Sequence, residues 1–199
     1  MPLLSLIGSH SHVLAGTYVD PRPGPILEVD TNIELGQHNG LWTYTIGQGA
    51  RLPGLTRRLF VAAKDPLKNA IYVALPELVP SFYSTRFGVL TWRVFRSHPS
   101  LFASSVTSND FSWIWSDGPP SAAFSQEGFR ASVQIRHRMS PVPVTVRQKW
   151  SSKTVHITFD EPHKAVAPGQ IAVLYDGDHC LGCGTIAKTT SVADLNKLN

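Results

Sequence analysis

The sequence holds only two cysteines in 199 residues, Cys180 and Cys183. Two are too few for a disulfide scaffold, so a reducing compartment is the expectation. No apolar run approaches the length that spans a bilayer. The first sixteen residues, MPLLSLIGSHSHVLAG, contain no Lys or Arg. They therefore lack the charged start of a signal peptide and the arginines of a mitochondrial transit peptide. Also missing are G-x-x-x-x-G-K-[ST], G-x-G-x-x-G after a strand, H-E-x-x-H and G-x-S-x-G, which removes the most recognisable enzyme signatures. Charged residues make up only 16% of the chain against 42% hydrophobic, which excludes a disordered polymer. The most informative absence is local. Between Gly128 and Phe159 there is no Asp or Glu, while Arg130, Arg136, Arg138, Arg147, Lys149 and Lys153 all fall inside. Such a one-signed block in a strand-like segment fits a surface that meets polyanion; a solvated face neutralised from elsewhere in the fold is the plainer alternative.

What is present is β structure. Fifteen Gly and fifteen Pro punctuate short β-branched and aromatic runs, which favours strands and turns over long helices. LWTYTI (41–46), RLFVAA (58–63), AIYVAL (70–75) and FSWIW (111–115) read as strands. In FRASVQIRHR (129–138), Phe129, Ala131, Val133 and Ile135 fall on one face, with the arginines on the other. PVTVRQKW (143–150) repeats the alternation, so the two form a hairpin whose basic residues share one outer face. KTVHITF (153–159), QIAVLY (170–175) and GTIA (184–187) follow closely. This spacing predicts a mainly β chain: a small β-rich domain over 21–118, then a β-barrel over 126–190, with the boundary near 116–128. SVADLNKLN reads as a frayed terminal turn.

Other signals are weaker. His10 and His12 form an isolated H-x-H. Asp160-Glu161 before Pro162 reads as a turn rather than a catalytic pair. Cys180-x-x-Cys183 has three readings: a redox pair, half a metal site with His179 and His163 as further ligands, or a turn in which one cysteine stands by chance. Asp176 and Asp178 flank it and disfavour a reactive thiolate.

A resemblance becomes specific at GQHNGLWTYTIGQGARLPG (36–54), which resembles the G-x-H-x-G-x-x-x-Y-T-x-G-Q-x signature of the tRNA 2-thiouridylases, here His38, Gly40, Tyr44, Gly47 and Gln48. KDPLKNAIYVAL (64–75), HPSLFASSVTSNDFSWIW (98–115) and VQIRHRMSPVPV (133–144) are similar to the family's following segments. FDEPHKAVAPGQIAVLYDGDHCLGCGTI (159–186) resembles F-D-E-P-x-x-A-V-T-P-G-Q-x-A-V-x-Y-x-G-D-x-C-L-G-G-G-x-I. The mitochondrial branch is the nearest in pattern. In this comparison Cys180 stands where the family has its own Cys, and Cys183 where it has Gly, which favours the chance reading.

The resemblance implies a central domain followed by a translation-factor-like barrel that holds tRNA, with contacts at Arg136, His137 and Gln170. Arg138, Arg130, Arg147 and Lys149 are added from the basic block. It implies thiolation of wobble uridine U34 at position 2, with ATP activation and sulfur delivery from a persulfide donor protein. The family's S-G-G-x-D-S-S loop and catalytic cysteines have no counterpart here. The expectation is therefore a C-terminal portion that is inactive alone, binds no cofactor or metal itself, takes tRNA as partner, meets no membrane, and is mitochondrial or otherwise cytoplasmic. Residues 1–20 and 76–97 match nothing in the resemblance. The latter read as a lineage-specific loop or a translated intron, dispensable in either case; their apolar content suits a surface loop poorly and favours the intron. The alternatives are a free-standing RNA-binding barrel module, and a redox or metal protein built on the two cysteines.

Overall fold

A computed structural model describes residues 20–55, 58–75, 98–115, 118–150 and 152–196. His10, His12 and the expected insertion 76–97 lie outside the described residues. The chain divides into two compact units, Met1–His98 and Pro99–Asn199.

The first unit is one five-stranded sheet in the order β2-β1-β5-β4-β3. Its strands are β1 (Gly24–Glu28), β2 (Glu34–His38), β3 (Gly49–Ala50), β4 (Leu59–Asp65) and β5 (Ala70–Ala74). β1 runs parallel to β5, and the other pairs are antiparallel. Ile26, Leu59, Val61, Ile71 and Val73 are fully buried and form its core. The expected strand over 41–46 is instead a 3-10 turn, Leu41–Thr43, followed by irregular chain. The reason is tertiary. Lys64 Nζ donates to the carbonyls of Leu41 at 3.1 Å and Tyr44 at 2.7 Å, which occupies acceptors a sheet ladder would need. Burial lowers the pKa of this lysine.

The second unit is a closed barrel. Its strands are β6 (Phe102–Ser108), β7 (Ser112–Trp113), β8 (Phe129–Gln134), β9 (Val142–Gln148), β10 (Val155–Lys164), β11 (Ile171–Asp176) and β12 (His179–Ser191). The ring order is β11-β8-β9-β10-β6-β12, and β12 pairs back to β11. β7 pairs with β12 just beyond the stretch that β6 occupies. Closure removes the exposed edges an open sheet would leave. Val133, Val144, Val146, Val155, Ile157, Ala172 and Leu174 are fully buried inside. The helix α1 (Val192–Asn196) stands where the terminal turn was expected, and no described helix is long and apolar enough to cross a membrane.

Three further expectations need correction. The barrel does not begin at 126, because β6 pairs with both β10 and β12 and completes the ring. FSWIW keeps only Ser112–Trp113 as strand. Asp160-Glu161 lies within β10 rather than in a turn, at the irregularity between Thr158 and His163 where Pro162 interrupts the pairing.

Candidate nucleic-acid interface

The signature residues of the first unit are spent on its fold. His38 is buried, and its Nε2 donates to the carbonyl of Asn69 at 3.0 Å. Asn69 has φ 50°, and its side-chain amide donates to Pro23 and Arg22 carbonyls. His38 therefore fastens the β4–β5 turn. Tyr44 meets the His38 ring edge-on, 6.4 Å between centroids. Gly40 lies under the Trp42 ring, where an added Cβ would come within 2.4 Å of Nε1. Gly47 has φ 83° and donates its N–H to the Val61 carbonyl at 2.7 Å. The Gln48 side-chain oxygen accepts from Thr45 N–H at 3.1 Å. Of these, His38, Tyr44 and Gln48 border an open cleft of about 440 Å³ that Arg51 also lines.

In the second unit the basic block does not form one outer face. β8 ends at Gln134, so Arg136, His137 and Arg138 occupy a turn and are exposed. Strict alternation continued through 129–138 would aim His137 at the apolar face; the turn exposes it instead. Gln134, which sequence reasoning passed over, organises that turn. Its Nε2 lies within hydrogen-bonding distance of the carbonyls of Arg136, His137 and Met139, at 3.2, 3.3 and 2.8 Å. Its only signal was a polar residue closing an alternating run. Arg136 Nη2 donates to the carbonyls of Lys164 at 2.7 Å and of Ala165, the latter residue at φ 57°. The next turn is closed by Gln170, whose Oε1 accepts from Ala167 N–H at 2.9 Å. Val173 pairs with Gln134, so the chain entering β11 from Gln170 arrives beside the chain leaving β8. Arg136, His137, Arg138 and Gln170 therefore gather at one end of the barrel. A cleft of about 420 Å³ lined by Val142, Pro143 and Asp160 to His163 opens near that end. His163 stacks on Phe159. Burial first, then the nearby Arg136 charge, hold its pKa below the ordinary 6.5.

The other predicted cations lie elsewhere. Arg130 forms a two-pronged ion pair with Asp160, which holds that carboxyl below its ordinary range, chiefly through the hydrogen bond. Arg147 Nε donates to the Gln126 carbonyl at 2.6 Å. Lys149 is exposed just past β9, toward the opposite end.

Cys180 and Cys183 are free and exposed on β12. They pair with Tyr175 and Val173, and a bulge inserts an extra residue between them. The bulge brings both onto the outer face, opposite residues two apart on β11, roughly 6.6 Å along that strand. That is at the margin of what a disulfide spans. Among the described residues no three His, Cys, Asp or Glu side chains cluster to hold a metal. His163 is engaged with Phe159, far along the chain from the bulge.

Comparison with known proteins matches residues 12–75 to a "tRNA methyl transferase PRC-barrel domain" and residues 103–186 to an "Aminomethyltransferase beta-barrel domain". The first match begins inside the stretch 1–20 that read as unrelated. The chain is 35% identical over 173 residues to the mitochondrial tRNA-specific 2-thiouridylase 1 of Gallus gallus, covering 86% of this chain and 35% of that protein. It is 32% identical to the Homo sapiens protein of the same name, covering 86% and 36%. It is 34% identical to the tRNA-specific 2-thiouridylase MnmA of Halorhodospira halophila, covering 85% and 39%. The chain thus spans little more than a third of the length of these relatives. With two family domains in order, one of them a closed barrel, and relatives of this kind aligned along most of it, the chain belongs to the tRNA 2-thiouridylase family, as a C-terminal portion.

Proposed function

We propose that this chain is the tRNA-holding portion of an enzyme that places sulfur at position 2 of the wobble uridine U34, acting in mitochondria as the vertebrate relatives' names indicate for them. Uridine activation by ATP and sulfur delivery from a persulfide donor protein belong, in this reading, to a domain upstream of the two described here. The observation that carries the reading is the convergence of Arg136, His137, Arg138 and Gln170 at one end of the barrel. Two turns there are locked by side-chain to backbone hydrogen bonds, so the exposed groups are preorganised. Arg138 is the cation that the turn leaves pointing to solvent, and Arg136 sets the turn while keeping further N–H groups for a phosphate. Phosphate contacts hold RNA in register without reading its sequence, and they weaken steeply with salt.

The test is titration of an unmodified tRNA transcript at several salt concentrations. Arg138→Ala should weaken binding and reduce the salt slope by about 0.7–0.9, one contact's worth. Cys183→Gly should leave both unchanged. An Arg138→Ala protein with wild-type affinity and slope would place the tRNA elsewhere.

A further inference from the structure

The opposite end of the barrel is built from the β6–β7 loop, the β9–β10 turn and the start of β8. Val155 pairs with both Gln148 and Ser108, and Phe129 pairs with Val146, which brings these segments together. Aromatic rings collect there. Trp113 lies 4.7 Å from Phe111 and 6.0 Å from Phe129, and Trp115 stacks on it at 6.3 Å with planes 13° apart. Phe124 meets Trp150 at 4.6 Å, edge to face. Gln148 joins the two groups: it accepts from Trp113 Nε1 at 2.8 Å and donates to the Ser152 carbonyl at 2.5 Å. Core packing accounts for Phe111, which is 3% exposed, but not for Trp150, which is 77% exposed, or Trp115, 44% exposed.

The surroundings of Trp150 point to the occupant. Lys149 precedes it and Lys153 follows in the same turn, both exposed, and Arg147 is held beside them through Gln126. Few carboxylates oppose them. Asp110 accepts from Ser108 and Thr185. Asp176 and Asp178 sit on the β11–β12 hairpin, which the ring order puts across the barrel from β9 and β10. Glu127 lies in the loop that Arg147 anchors. The buried centre of a protein–protein interface is depleted in lysine. A ring flanked by lysines is the composition of a single-stranded nucleic-acid site, where bases stack and cations track the backbone.

We infer that this end is a second RNA contact, a stacking platform for an unpaired base of the bound tRNA, with Trp150 as the ring and Lys149 and Lys153 as phosphate contacts. It rests on the tRNA-binding reading above and adds a contact at the far end of the barrel. Phe124 presets the indole, so little rotamer freedom is lost on binding.

The test uses the full 199-residue chain with the same tRNA transcript and, separately, a short single-stranded oligouridylate. Trp150→Ala should weaken tRNA binding about 5- to 150-fold with little change in salt slope, while Trp150→Phe keeps most of the affinity. Lys149→Gln with Lys153→Gln should flatten the salt slope by about two contacts. The difference in fluorescence between wild type and Trp150→Phe isolates one indole of five, and RNA should quench it. Equal affinity of Trp150→Ala and wild type, with Arg138→Ala weakened, overturns the platform and leaves the tRNA reading standing. Failure of the wild type to bind tRNA while the oligouridylate still quenches Trp150 overturns the tRNA reading and leaves a single-strand site. Absence of binding to either RNA overturns both. A Trp150→Ala protein that keeps RNA affinity but loses a polypeptide partner would make the surface a protein contact instead. Thermal melts confirm that each variant folds, as expected for exposed positions.

Discussion

Gly47 illustrates how a family signature turns out to be architecture. Its φ of 83° lies where a side chain is disfavoured, and its N–H is committed to the Val61 carbonyl, so the turn cannot relax without losing that bond. Gly47→Ala should lower the stability of the first unit by about 1–3 kcal/mol. Gly47→Asn should cost less, because Asn tolerates the left-handed region. Denaturant unfolding of the three proteins would measure this, and equal midpoints would mean that the turn carries no strain. The same logic explains why the signature was legible while its meaning was not. The pattern from His38 to Gln48, with the four segments that follow it in order, pointed to the family from letters alone. That His38 buttresses Asn69 across 31 positions depends on a turn folding back, and no local spacing contains that information.

At the scale of elements, the turn leaving β8 and the turn entering β11 are coupled through Arg136. Its guanidinium caps the Lys164 and Ala165 carbonyls and its charge helps depress the His163 pKa, second to burial. Since the folded chain binds the His163 proton less readily than the unfolded chain, this histidine's contribution to stability is complete above its ordinary pKa. It is lost as pH falls through 6.5 toward the depressed value. Arg136→Ala should raise the His163 pKa without fully restoring it, since desolvation remains. An NMR titration of the imidazole would follow this, with denaturant midpoints at neutral and mildly acidic pH. An unmoved titration would show that the two turns are not electrically coupled. Alternation over 129–135 correctly put Val133 and Ile135 in the core, at 0% and 8% exposure. It overran the strand because period two continues through Arg136 and Arg138, whereas Gln134 ends the ladder by bonding the turn carbonyls. Strands β1, β2, β3 and β6 were missed. Their short runs carry Gly, Pro, Ser or charged residues; β1 and β6 are strands because partners from distant sequence pair with them, β2 is held by its hairpin with β1, and β3 by β4.

For the whole molecule, each unit buries its own core, and the family match spans both. In the proposed reading the phosphate loop and the persulfide cysteine belong to a domain upstream of both units. Isolated protein should therefore show no ATP-dependent sulfur incorporation into unmodified tRNA when a persulfide donor is supplied. Robust incorporation would overturn that expectation and return attention to Cys180 and Cys183. Adding a polypeptide that carries the relatives' upstream region should be required for activity.

The sequence by itself determined the family, the mainly β character, and the concentration of positive charge between Gly128 and Phe159, because motif order, strand periodicity and charge are properties of neighbouring letters. The tertiary structure decided where that charge is spent. Arg130 is paired to Asp160, Arg136 is tied to a turn, and Arg138 and Lys149 are left at opposite ends of a closed barrel. Ring closure decided this, because which residues end up at one rim follows from the register between strands far apart in the chain, and register is fixed by the packing of side chains inside the barrel.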